Sequence, residues 1–163
     1  MTGQTDATRM AATRSARLMA LLPSLLLYAI ACATPAIEFL KNGVEPQRWY
    51  GVEALLLGWQ GAFVGQFGWF ANPFLLLAGV FILFGRFFAG AVVAAVAVIV
   101  AAHSPFILHQ QVPGDEGNVN HLEVAAFGVG FYFWAASLLV AMVVPLFASL
   151  LLRYRNRRTI GSV

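Results

Sequence analysis

Three amide side chains stand where the chain is otherwise apolar: Gln60, Gln66 and Asn72, with Pro73 directly after the last. They fall in Trp59–Phe74, W-Q-G-A-F-V-G-Q-F-G-W-F-A-N-P-F, which carries no charge and is crowded with aromatics and glycines. Amides both donate and accept hydrogen bonds, so they suit a neutral polar cavity or the repair of an interrupted helix. Pro73 removes a backbone donor and obstructs the carbonyl four residues earlier. In hydrocarbon the freed groups need partners, and Asn72 or Gln66 is placed to supply them.

Other chemistry is thinner. His103, His109 and His121 lie near Asp115, Glu116 and Glu123 in sequence, a donor set that suits zinc or copper. Their spacing fits no tight ligand motif, so no metal and no cofactor is assigned. No Ser-His-Asp or Cys-His set is readable, and Ser104 and Ser137 suit helix packing better than nucleophilic attack. The single Cys32 excludes an intramolecular disulfide and a CxxC motif. No acidic residue lies deep in an apolar span, which argues against proton-driven transport. Tyr132 and Trp134 are candidates for stacking on a ligand, although packing against other helices accounts for them better.

The elements that carry these residues follow from composition. The chain has 163 residues, 60% hydrophobic and 10% charged, with mean hydropathy +0.77. Soluble domains carry about a quarter charged residues, so lipid is the expected solvent. The net charge of +3 does not indicate nucleic acid, because the arginines flank apolar spans instead of lining one face. Arg9, Arg14 and Arg17 before an apolar run ending Ala31-Cys32-Ala33 resemble a signal peptide, but the segment is read as a retained first transmembrane helix.

Four helices are expected, at about 18–37, 51–85, 87–108 and 124–152, with polar tails at 1–17 and 153–163. The fold class is therefore an all-α membrane protein, a four-helix transmembrane bundle. Its second helix is broken or kinked near 72–73, since 51–85 is too long for one straight crossing. Asn72 is expected to cap the second half, with Pro73 at its first position. Gly58, Gly61, Gly65 and Gly68 recur at helical spacing and predict a close helix contact. Asn120-x-x-Glu123 reads as the capping box opening the fourth helix. Arg9, Arg14, Arg17, Arg86 and the Arg153–Arg158 cluster fall on one side, which predicts cytoplasmic N- and C-termini.

Gly58-Trp59, the Trp69 to Asn72-Pro73 break and Gly130-x-Tyr132-x-Trp134-x-x-Ser137 together resemble a group of small bacterial inner-membrane proteins without assigned activity. The resemblance implies a bacterial inner-membrane location and carries over no catalytic residue. The expected function is non-enzymatic: helix-mediated contact with the chain itself or with a membrane-protein partner, as an accessory subunit or a protective, immunity-type protein. The alternatives are a small transporter or channel component with a polar cavity at the broken helix, and a metal-dependent membrane enzyme using the three histidines.

Overall fold

A computed structural model describes residues 3–108, 110–113 and 121–160. Helix α1 (Gly3–Ala33) leads into strands β1 (Pro35–Lys41) and β2 (Glu45–Tyr50) and the short helix α2 (Gly51–Leu57). A 3₁₀ segment (Gly58–Val64) and a 3₁₀ turn (Gly68–Phe70) precede α3 (Ala71–Leu83). Helix α4 (Phe87–Ala101), a 3₁₀ turn (Ser104–Ile107), β3 (Gln111–Pro113), β4 (His121–Phe127) and α5 (Val129–Ile160) complete the order. Among the described residues three stretches are long and apolar enough to cross a membrane: Arg14–Ala33, Phe87–Ile107 and Val129–Leu152.

The chain is mostly helical but not all-α. An antiparallel sheet in the order β2-β1-β4-β3 sits where the end of the first helix, its connection to the second and the start of the fourth helix were expected. Its first hairpin turns at Asn42-Gly43, both with positive φ (52° and 73°), and Val44 N–H bonds Lys41 O at 3.1 Å. That is the turn whose twist matches paired strands, and Asn-Gly is its favoured sequence. In β4, Leu122 and Val124 are buried while His121 is exposed and Glu123 half-buried. This two-residue alternation is a strand's period, not a helix's. The Asn120–Glu123 capping box therefore does not form: Glu123 lies in β4, α5 begins at Val129, and Asn120 lies outside the described residues. A different box does form, with Tyr50 N–H donating to Glu53 Oε2 at 2.7 Å at the start of α2.

Other boundaries shift too. Helix α1 already runs from Gly3 and ends at Ala33, with Pro35–Ile37 in β1, and α5 continues to Ile160. The break in the second apolar block is not at Asn72-Pro73. It is at Gly65, whose φ of 77° ends the 3₁₀ segment, with Gln66 N–H bonding Gly61 O at 2.8 Å. Pro73 lies in the first turn of α3, where backbone N–H groups have no helical partner anyway, so it interrupts nothing.

Helix packing rests on small residues. Gly90, Ala91, Ala94, Ala97 and Ala101 are buried along α4. Ala97 and Ala101 meet Ala71 of α3 and Leu138 of α5, and Ala94 meets Ala78 and Ala141. At Gly90 a Cβ would lie 2.7 Å from Ile82 Cγ1. Backbones that approach this closely gain dispersion contacts that lipid cannot replace. At the far end from the sheet, Arg17 Nη1 donates to Leu83 O at 3.0 Å. Arg86 follows in the turn before α4, so these two arginines and the sheet occupy opposite ends of the helices.

A candidate binding cavity between the sheet and the helix ends

Asn72 is 8% exposed and lies at the centre of a three-helix junction. Its Oδ1 accepts from Tyr28 Oη of α1 at 3.0 Å and from Trp134 Nε1 of α5 at 2.9 Å. Its Nδ2 donates to Trp69 O at 2.9 Å. The expected cap is absent: the residue at the cap position of α3 is Phe70, and no side chain bonds the free N–H groups there. Asn72 lies two residues past the cap position and instead turns across to its neighbours. The α1–α5 contact is tied a second time, by Ser24 Oγ donating to Ser137 O at 2.9 Å.

Above this junction lies a cavity of about 620 Å³. Its floor is Tyr28, Asn72 and Trp134; its roof is the inner face of the sheet, with Ala36, Phe39, Trp49 and Leu122. One wall is the segment from α2 to the 3₁₀ turn, including Leu55, Gln60, Phe63 and Trp69. That wall is braced by Trp69 Nε1, which donates to Leu55 O at 2.7 Å. Among the described residues no charged side chain lines the cavity. Such a volume falls within the roughly 300–1,000 Å³ of small-molecule sites, which are mostly apolar with a few placed polar groups.

The amides singled out from sequence do meet here. Gln60 is exposed and lies on the cavity wall, while Gln66 and Asn72 are buried in it. Gln66 Nε2 donates to Gln110 Oε1 at 2.9 Å, joining the Gly65 turn to the loop before β3. Pro73 is exposed and takes no part. The aromatic pair divides: Trp134 faces the cavity and bonds Asn72, whereas Tyr132 is 62% exposed.

The four glycines do not form one helical stripe, because Gly65 is left-handed and breaks the segment. Three of them are close-approach points within the chain. A Cβ would meet Trp69 Cδ1 at 2.5 Å from Gly58, Gln66 O at 3.1 Å from Gly61, and the Ser104 hydroxyl from Gly68. A Cβ on Gly65 would meet nothing within 4 Å.

The histidines are not gathered. His103 lies before the 3₁₀ turn, its Nδ1 3.5 Å from Phe67 N–H and its ring 5.4 Å from Phe106. His121 is at the end of β4, its backbone bonded to Asn42, and His109 lies outside the described residues. Among the described residues no group of three or more His, Cys, Asp or Glu comes together as a metal site.

Sequence reasoning missed Tyr28, Cys32 and the sheet residues of the cavity. Tyr28 carried one signal, a polar tip deep in an apolar helix. No family model, no curated protein and no solved structure matches this chain.

Proposed function

We propose that the chain is an integral membrane protein that works by binding a small apolar or amphiphilic molecule in the cavity between the sheet and the helix ends. The observation that carries this reading is the convergence of α1, α3 and α5 on Asn72 beneath an uncharged cavity of about 620 Å³. This reading stands nearer to the transporter or channel alternative than to helix-mediated contact with a partner. Three of the four glycines that suggested such a contact, Gly58, Gly61 and Gly68, are occupied inside the chain, at Trp69, Gln66 and Ser104.

In this reading the 3₁₀ turn and α3, a shorter apolar helical stretch over Gly68–Leu83, make a fourth crossing beside α4. The arginine end faces the cytoplasm and the sheet faces outward, by the preference of basic residues for the inner side. The cavity then lies at the outer boundary of the bilayer. Exposed Val52, Leu56, Trp59 and Phe63 on α2 and the following segment contact lipid at that level.

Brominated chains quench tryptophan on contact, and Trp49, Trp69 and Trp134 all line the cavity. With Trp59→Phe removing the remaining tryptophan, a long-chain amphiphile brominated along its chain should quench fluorescence saturably. Ala54→Phe, which fills the wall, should weaken that quenching. Quenching that rises linearly and ignores Ala54→Phe would reject the cavity as a binding site.

A further inference from the structure

Gln66 is 7% exposed, yet its Oε1 is buried with no hydrogen-bond partner among the described residues. A buried polar atom without a partner costs free energy, and native structures normally supply one. The same residue lines the cavity, so a turn of its side-chain amide would bring Oε1 within reach of a partner there. The polar side chains of the floor and Trp69 on the wall already make hydrogen bonds within the chain. Asn72 Oδ1 accepts twice, and the indole N–H groups of Trp69 and Trp134 are both donated.

The chemistry of the partner is constrained from two sides. No charged side chain lines the cavity among the described residues, so an ionic head group would be desolvated without compensation. Apart from Gln60, Ser104 and Cys32 the walls are aliphatic and aromatic, which suits an alkyl or prenyl chain. A hydroxyl can donate the proton that Gln66 Oε1 lacks, which an ether or a carboxylate cannot.

We propose that the cavity takes a neutral single-chain amphiphile with a hydroxyl head group, drawn from the bilayer, whose hydroxyl bonds the Gln66 side-chain amide. This rests on the binding reading above and adds the identity of the polar end.

The test is competition against the brominated amphiphile in the Trp59→Phe protein. The competitors are hexadecan-1-ol, its methyl ether and hexadecanoate. The alcohol should compete at roughly ten-fold lower concentration than the ether, the ratio one well-made hydrogen bond gives. The carboxylate should be weaker than the alcohol. In Gln66→Met the alcohol should lose its advantage while the ether keeps its affinity. Equal competition by alcohol and ether in the parent protein would overturn the hydroxyl assignment and leave the cavity reading standing. Preference for the carboxylate would overturn it as well. An alcohol advantage that survives in Gln66→Met would place the hydroxyl elsewhere and overturn the role of Gln66. Absence of saturable quenching by the brominated amphiphile itself would remove both readings together.

Discussion

Asn72 Oδ1 lies 2.9 Å from Trp134 Nε1, across the gap between the first turn of α3 and the second turn of α5. The same oxygen holds the Tyr28 hydroxyl at 3.0 Å, so one amide fixes three helices at the level where the cavity begins. A side chain that capped its own helix could be replaced by any capping residue. One that reaches across to two neighbours cannot.

Asn72→Ala should therefore cost about 1–3 kcal/mol, because it leaves a half-buried phenol and a half-buried indole without their acceptor. Asn72→Ser caps helices well but is too short to reach both partners, so it should rescue little. Tyr28→Phe removes a single bond and should cost about 0.5–1.5 kcal/mol. In a double-mutant cycle Tyr28→Phe should cost less in the Asn72→Ala background than in the parent, since the shared bond is already gone. Thermal unfolding in mild detergent measures all four. Full rescue by Ser would restore the capping account.

Gly65 and Gly90 separate conformational need from close packing. Gly65 has φ of 77° and open space beyond its α-carbon, so Gly65→Ala and Gly65→Leu should be similarly destabilising, by about 1–2 kcal/mol. Gly90 packs on Ile82, so Gly90→Leu should cost about 1–3 kcal/mol or more, and more than Gly90→Ala. Denaturation of the four variants decides it. A steep size dependence at Gly65 would put that glycine back in a helix interface.

Gly68→Ala should disturb the wall near Gln66, since the added methyl would meet the Ser104 hydroxyl. Ser104→Gly in the same chain should recover part of the loss in stability. Failure of that recovery would mean that the clash is relieved by backbone movement instead.

Orientation is checked through the lone cysteine. With Cys32→Ala, a cysteine at Val44, which is 79% exposed in the β1–β2 turn, should react with an impermeant maleimide added to intact cells. A cysteine at Val163 should react only after the membrane is opened. The reverse pattern would invert the proposed topology.

The helices were legible because twenty-residue apolar runs have few other fates. The sheet was legible in principle and was overlooked. Asn42-Gly43 is a strong hairpin signal, and His121–Val124 alternates in a strand's rhythm. Glu123, three residues after Asn120, mimicked a capping box, and the apolar run beyond it drew the helix start five residues early. Gln60, Gln66 and Asn72 stood out because amides are costly in hydrocarbon, and that cost is why two of them are buried against partners. What sequence spacing could not give was the partners. Tyr28 and Trp134 are far from Asn72 along the chain, and only the packing of α1 and α5 brings them to it. The small-residue run Gly90, Ala94, Ala97, Ala101 was visible, but the more conspicuous glycines of 58–68 displaced it.

The pairing of β1 with β4 sets an order of assembly. Ile37 lies opposite Phe127, so the two central strands flank nearly everything between the first and last helices. A growing chain can close the β1–β2 hairpin as soon as Tyr50 is made, but β1 keeps one bare edge until α3 and α4 have been threaded and β4 follows. Long-range strand pairing is slow for this reason, and an unpaired edge invites other strands meanwhile. The sheet is thus completed only after α4, and a chain that stalls there would present an incomplete sheet and lack α5.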